Sequence, residues 1–501
     1  MYDFVIAAVP SLLPNLPPAG PAVVKSIITR EGKTCKTFDL NIKMYRKNRP
    51  EFTDELEEYF KYDQRVNDFH NSFISYRNSK KSKLSTDCEI FYNNFINDCA
   101  SELLRHNPNV IGLSLLTYNS FLFTYDLILA LHAQKSYQEI ILGGTGVSLE
   151  ETNYGQFLKD LGYISHVFMG DANKSLSAYI QGETKNVIGI DNYSKSNFLT
   201  TEEINQLPIP NYDDYNLNDY FLNDRMVVIE GSQGCVRKCT FCDVEAIHPK
   251  YSFKKPENIV NEIESYYLKN DVRTFMFSDS LINGSSSNFD KLCELLIKSK
   301  KEGRLPKDIY ISGQFICRKK SVAPYEVYEK MRKAGIKEVF IGFESGSDRV
   351  LKDMRKHSTM EDYIFCIDNC SKAGVRVRML MLTGYPTETL EDHEKTIKMM
   401  RILKPYSDCG TITKVNLGLT CDILKGSPLD RDNKWQFDWD ENGHWILREN
   451  PDNNMLERIR RRAELQKICE ELGYFLSNKN QINYIYNTMK EILSNEARRK
   501  S

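Results

Sequence analysis

Cys235, Cys239 and Cys242 stand in the string Gly-Ser-Gln-Gly-Cys-Val-Arg-Lys-Cys-Thr-Phe-Cys-Asp, directly after the apolar run Met226 to Ile229. This CxxxCxxC spacing puts three thiolates on one short loop. Four ligands close a structural zinc site or an ordinary ferredoxin cluster, so a 4Fe-4S cluster held by these three keeps one iron open to a reactant. They are the candidate metal ligands and the candidate catalytic centre. A zinc knuckle is the rival reading. It needs a second Cys or His pair close by, and His248, six residues on, is the nearest candidate. The other cysteines of the thirteen, among them Cys35, Cys88, Cys99, Cys366 and Cys370, lack cluster spacing on a loop and read as buried small hydrophobes.

The thiolates need a frame, and alternating β-branched and helical segments supply it. Before them, Phe4 to Val9, Val110 to Leu116, Glu139 to Leu142, His166 to Met169 and Val187 to Ile190 read as strands of a parallel sheet with helices on both faces, over residues 1–190. Residues 45–105 are rich in Lys, Asn and Tyr. Their helical period at Phe52, Leu56, Tyr59 and Phe60 makes them an elaboration between two strands. A polar connector over 191–224, with Leu207-Pro208-Ile209-Pro210, marks the expected boundary.

Beyond it, strands are expected at Met226 to Ile229, Thr274 to Ser278, Ile309 to Ser312, Glu338 to Phe343, Val375 to Leu382 and Thr411 to Leu417, six βα units that fit a partial barrel over 225–430. Capping-box patterns at Thr359 with Asp362, and at Thr387 or Thr389 ahead of Glu391 and Asp392, mark helix starts. Chemistry in such folds gathers at the carboxyl ends of the strands, and the cysteine loop follows the first of the series. Residues 431–501 hold Trp435, Trp439 and Trp445, then a charged helical stretch. Its Arg458, Arg460, Arg461 and Arg462 read as a solvated face, with a phosphate or RNA contact as the alternative.

Charge narrows the function classes. The chain has 67 Lys and Arg against 68 Asp and Glu, a net charge of -1, so no global pull toward nucleic acid or anionic membrane is indicated. At 501 residues and 41% apolar it has enough material for two to four domains with real cores. The longest apolar stretch, Ile111 to Ala133, is broken by Asn119, Thr124 and Asp126 and does not read as a membrane span. The opening Met-Tyr-Asp-Phe-Val-Ile lacks the positive region and cleavage site of a signal peptide, and the cysteine total is odd. A reducing cytoplasm is the expected location.

With these strings in place the chain resembles the radical SAM superfamily, and within it the members with an amino-terminal cobalamin-binding domain, over residues 1 to 430. Cys-Val-Arg-Lys-Cys-Thr-Phe-Cys carries the resemblance furthest, including Phe241, where the family packs a ring beside S-adenosylmethionine (SAM). Further matches follow in order: Tyr251-Ser252-Phe253 with Pro256 to Ile263, Phe275 to Ser280, Gly342-Phe343-Glu344-Ser345-Gly346-Ser347, Thr383-Gly384-Tyr385-Pro386, and Lys425-Gly426-Ser427-Pro428. The resemblance implies an α/β chain with a Rossmann-like sheet of the cobalamin-binding type, a partial (β/α)6 radical SAM barrel and a helical carboxyl-terminal extension. It also implies that Asp279, Ser280, Glu344, Ser345 and Gly384 lie near SAM. Arg378, on an otherwise apolar strand, either pairs the methionine carboxylate or a neighbouring acid.

In the amino-terminal part, Asn15 to Pro21, Ile111-Gly112-Leu113-Ser114, Leu142-Gly143-Gly144-Thr145 and Met169-Gly170-Asp171 resemble the family's strand ends. There Ser114, Gly143, Gly144, Gly170 and Asp171 are the expected cobalamin neighbours, because small residues let a large planar cofactor approach the backbone. The Asp-x-His-x-x-Gly string that places a histidine on cobalt is absent; Phe38-Asp39-Leu40-Asn41 stands in the nearest region. Gly-Asp-Ala-Asn also replaces the common Gly-Glu-Gly-Glu at 170 to 173, and Gln233 replaces an arginine. A domain that keeps the fold without the cofactor therefore stays open.

The implied activity is reductive cleavage of SAM by a 4Fe-4S cluster, fed by a one-electron reductant such as flavodoxin or ferredoxin, and cobalamin-dependent methyl transfer to an unactivated carbon. Rearrangement, methylthiolation without cobalamin, and a non-catalytic metal-binding module are the alternatives. Methylthiolation needs a second cysteine triad, and Cys35, Cys88 and Cys99 are poorly spaced for one. No sequence feature specifies the substrate.

Overall fold

The computed structural model describes residues 1–10, 15–47, 50–61, 69–134, 138–148, 153–192, 198–221, 225–440 and 443–477. It divides into two compact units, residues 1–228 and 229–501. The stretch 478–501 of the expected carboxyl-terminal helix lies outside the described residues.

In the first unit, five short strands, β1 (Phe4–Ala8), β2 (Cys35–Asp39), β3 (Val110–Ser114), β4 (Glu139–Gly143) and β5 (His166–Val167), pair in the order β2-β1-β3-β4-β5, every pair parallel. Strand periodicity explains the two cores. Val5 and Ala7 face one side, with the helices Thr53–Phe60, Thr86–Leu104 and Phe121–Ala133; Phe4 and Ile6 face the other, with Ala19–Arg30 and Ala172–Ile180.

Two expectations need correction. Cys35–Asp39 is a strand although Lys36 and Thr37 interrupt its apolar pattern, because it stands at the sheet edge beside β1. Val187 to Ile190 is not a strand; Ile190 makes only an isolated bridge to Phe168.

The described part of the expected elaboration is mainly helical and packs on one face through Leu56, Tyr59, Phe73 and Tyr92. Its anchor is the acid that breaks the apolar run. Asp126, 5% exposed, accepts hydrogen bonds from Tyr59 Oη (2.8 Å), Tyr92 Oη (2.8 Å) and Arg77 Nε (2.7 Å). A carboxylate in an apolar helix is costly unless it is paired, and here three partners pair it.

The six expected strands form a second sheet, the first of them straddling the boundary between the units. They are β6 (Met226–Ile229), and, after two short strands β7 (Ser232–Gln233) and β8 (Ser252–Phe253), β9 (Thr274–Phe277), β10 (Tyr310–Gln314), β11 (Ile336–Glu344), β12 (Arg376–Met381) and β13 (Ile412–Asn416). Their order is sequential, β6-β9-β10-β11-β12-β13, with β9 to β13 parallel throughout. Helices return the chain between them, as short right-handed crossovers require. The capping boxes at Thr359/Asp362 and Thr389/Asp392 both form, while Thr387 instead donates to Asp353 Oδ2 at 2.6 Å.

The carboxyl-terminal region is not helical throughout. A hairpin of β14 (Phe437–Trp439) and β15 (Trp445–Leu447) precedes the helix Met455–Glu471. The arginines of that helix also depart from expectation: Arg458, Arg461 and Arg462 are buried and only Arg460 is exposed. Among the described residues no helix is long and apolar enough to cross a membrane.

Because Asp126 holds three partners at once, replacing it by alanine removes the carboxylate that Arg77 and two tyrosine hydroxyls share. Asp126→Ala is expected to destabilise the first unit by about 3–5 kcal/mol, and Tyr92→Phe by about 1 kcal/mol, in chemical denaturation followed by circular dichroism.

Candidate active site

The cysteine loop is built as a closed clip. β7 and β8 pair antiparallel, Ser232 with Phe253 and Gln233 with Ser252, so the chain leaves and re-enters the barrel edge at one place. Gly234 starts the loop at φ 75°, and a side chain there would stand 2.6 Å from the Lys250 carbonyl oxygen. Its need is therefore steric as well as conformational.

Two further residues fix the clip. Asp279, just past β9, is buried, and its carboxylate accepts from the Gly231 amide and the Ser232 hydroxyl, both at 2.7 Å. Burial pushes this carboxyl up to about 6, against the pull of those two donors. Asp279 thus acts on the loop's base, with both oxygens already engaged. Thr240, between the second and third cysteines, donates its amide to Met354 O (3.1 Å), accepts from Leu429 N (2.8 Å) and shares a hydrogen bond with Tyr385 Oη (2.7 Å). Three distant segments meet on this one residue. Sequence spacing carries no sign of it.

On this frame Cys235, Cys239 and Cys242 are all partly exposed thiols. The Cys242 amide donates to Cys239 O (3.1 Å) and the Arg237 amide to Cys235 Sγ (3.4 Å). Burial raises all three thiol pKa values, that of Cys242 to about 11, and at Cys239 and Cys242 the neighbouring thiols add to the rise. Three sulfurs within electrostatic reach of one another are a donor set that a cation stabilises as thiolates. Among the described residues no three Cys, His, Asp or Glu side chains converge as they would on a single ion. A 4Fe-4S cube differs, since each sulfur takes a different corner. His248 caps the short helix Val244–Ile247 after the third cysteine, and burial lowers its pKa.

Facing the loop is an ion pair that the spacing of motifs did not reveal. Lys356 Nζ lies 3.1 Å from Glu344 Oε1, with side chains 16% and 13% exposed, and stands 6.0 Å from the centre of the Phe241 ring. Gly342 makes room, because a side chain there would meet Lys356 Nζ at 2.9 Å. Glu344 ends β11 at φ 61°, and Arg355 and His357, on either side of Lys356, have φ 57° and 54°. Left-handed backbone at such residues costs about 1–3 kcal/mol each and persists where the surroundings enforce it.

The remaining expected residues divide by what they do. Ser280 follows Asp279 in a half-buried bend. Ser345 is buried, and its hydroxyl accepts from the Ser347 amide at 3.1 Å, so it is spent on the turn into the helix Asp348–Asp353. Gly384 has φ 74° and donates its amide to Glu388 Oε2 at 2.9 Å; a side chain there would stand 2.5 Å from Arg458 Cγ. Arg458 is the reason, its guanidinium lying 3.6 Å from the Trp445 ring centre and donating to the carbonyls of Trp445 (3.1 Å) and Asn453 (2.6 Å). Arg378 pairs Glu338 at 2.6 Å, the neighbouring-acid alternative.

In the first unit, one row of the sheet's carboxyl edge is small. Ala8, Ser114 and Gly143 are register partners across β1, β3 and β4, and Asp39 of β2 completes the row. A side chain at Gly143 would find only an ordinary contact, 3.5 Å from Phe168 Cβ. Gly144 is different: at φ 102°, a side chain there would strike the Leu115 carbonyl oxygen, so this glycine serves the fold. Gly170, at φ 76°, leads into Asp171, which caps the helix Ala172–Ile180 by accepting from Asn173 N at 2.8 Å.

Comparison with known proteins bears on the fold and on residues 229–400. Residues 229–400 match the family model described as the Radical SAM superfamily. An uncharacterized methyltransferase of Pyrococcus horikoshii is 22% identical over 323 residues, which cover 61% of this chain and 67% of the relative. Of solved structures, the radical S-adenosylmethionine methyltransferase TsrM from Kitasatospora setae, with cobalamin and a 4Fe-4S cluster bound, matches with a TM-score of 0.63 at 13% identity, covering 99% of this chain and 100% of that one. The cobalamin-dependent S-adenosylmethionine radical enzyme OxsB matches with a TM-score of 0.65 at 16% identity, covering 98% and 71%. At such identities the likeness to the solved structures is one of fold, and the chain spans about two thirds or less of the length of the curated relatives it matches. The match to the Radical SAM superfamily model lies wholly within the second unit, residues 229–501.

Proposed function

We propose that the chain is a cobalamin-dependent radical SAM methyltransferase acting on an unactivated carbon. Cys235, Cys239 and Cys242 hold its 4Fe-4S cluster, residues 225–430 form the catalytic barrel, and residues 1–190 form the cobalamin domain. The observation that carries the reading is the cysteine loop itself: three thiols on one clip at the carboxyl edge of a parallel barrel, one ligand short of a closed site. When bound, the cluster, SAM and cobalamin supply one-electron cleavage of a sulfonium and a carrier for the methyl group.

The chain's own residues bind and orient. Asp279 and Thr240 fix the base and the middle of the cysteine loop, and the Phe241 ring lies 6.0 Å from the Lys356 ammonium. Glu344, at its strained strand end, offers a carboxylate to an ammonium or a ribose hydroxyl. Arg458, buried beside the Trp445 ring, packs against Gly384 and keeps water from this part of the rim. In the first unit, the small row Ala8, Ser114 and Gly143 gives a flat macrocycle room against the backbone, which supports cobalamin despite the missing histidine string. Enzymes of this superfamily need an electron donor, and a flavodoxin or ferredoxin is the donor proposed here.

Two measurements test the reading. After anaerobic reconstitution with iron and sulfide, wild-type protein is expected to show iron-sulfur absorbance and to cleave SAM, with products read by mass spectrometry, while Cys239→Ala loses both. A variant that keeps both contradicts the cluster assignment. Gly143→Val fills the small row without a forbidden backbone angle, so it is expected to lower cobalamin retention at least about ten-fold by equilibrium dialysis, at unchanged iron content. If wild type retains no cobalamin either, the first unit works without that cofactor.

A further inference from the structure

The reading above gives Lys356 no task, yet the structure spends strain on where it points. One carboxylate, Glu344 at 3.1 Å, accounts for its charge being tolerated with 16% of the side chain exposed. It does not account for the address. Among the described residues, eight non-glycine residues have left-handed backbone, and three of them are Glu344, Arg355 and His357, which bracket this pair. Four of the other five are Asn or Asp, which, like His357, adopt that conformation more readily than Glu344 or Arg355. The strain therefore concentrates at one ion pair, and its effect is to bring the Lys356 ammonium to 6.0 Å from the Phe241 ring, between the second and third cysteines in sequence.

Within the pair it is the ammonium that stands over the Phe241 ring, and Phe241 directly precedes Cys242. Arg355 turns the other way and pairs with Asp432 at 3.1 Å.

We propose that Lys356, held in place by Glu344, is the fixed positive charge that sets the reduction potential of the 4Fe-4S cluster on Cys235, Cys239 and Cys242. The step it biases is simple. One electron passes from the external donor to the oxidised cluster, no bond forms or breaks, no proton moves, and the cluster becomes more negative by one charge. A cation nearby stabilises the more negative state and makes the cluster easier to reduce. Lys356 is thus a positioning charge for electron entry. This inference rests on the cluster assignment above.

The test is a dye-mediated redox titration of the reconstituted full-length protein without SAM, followed by electron paramagnetic resonance of the reduced cluster. Lys356→Met is expected to lower the reduced-to-oxidised ratio at a fixed potential about ten-fold, a downward shift of about 59 mV for a one-electron couple. Lys356→Arg keeps the charge and is expected to stay close to wild type. Glu344→Gln removes the opposing charge and is expected to shift the midpoint upward, a sign that loss of packing alone does not produce. Should Lys356→Met take up no iron, the direction of the Glu344→Gln shift decides. Midpoints equal to wild type in all variants, a fall in Glu344→Gln, or Met and Arg variants moving together overturn the proposal. Wild-type protein without iron and sulfide overturns the cluster assignment, whereas a cluster indifferent to Lys356 overturns only this inference.

Discussion

The second unit is organised around keeping three like groups together that have no reason to stay together. Thiolates repel, and burial makes each one harder to ionise, as the raised pKa values of Cys235, Cys239 and Cys242 show. The backbone must therefore impose the arrangement. It does so through a two-stranded clip, a glycine that alone fits under the Lys250 carbonyl, a buried carboxylate at the base and a threonine that reaches three other segments. The clip and the glycine act locally, whereas Asp279 and Thr240 tie the loop to segments far away in sequence.

The same logic of committing polar groups to structure runs through the rest of the molecule. Asp126 in a buried helix, Glu388 beside Arg461, and Arg458 over Trp445 look like candidates for chemistry by residue type alone. Their partners engage them in the fold instead. Ser345 and Asp279 show the same thing within the motifs themselves. A strand-end hydroxyl or carboxylate holds its neighbours in place, and Glu344 with Lys356 is left as the charged pair that faces the loop. In the first unit, Gly144 answers to Leu115, while a side chain at Gly143, in register with Ser114, would meet only an ordinary contact with Phe168.

How much of this was legible follows from the range of the interactions. Local patterns gave the six barrel strands nearly to the residue, both capping boxes and the separation into a parallel sheet and a barrel, because strand periodicity and caps are written within a few residues. Edge strand β2 escaped, since a strand covered on one side carries a polar, broken pattern. The arginines of the last helix were misread as solvated because burial of a guanidinium depends on carbonyls and rings contributed from elsewhere in the chain.

By itself the sequence determined the chemistry on offer: three thiols at CxxxCxxC spacing after the first strand of a βα series, a choice fixed by residue type and by spacing along one loop. Only the tertiary structure decided which charge the thiols face. Lys356 and Phe241 are separated by more than a hundred residues, and Lys356 reaches the loop because strained backbone at Arg355 and His357 and the missing side chain at Gly342 aim it there. Side-chain direction of that kind comes from packing between distant segments, which no local pattern encodes.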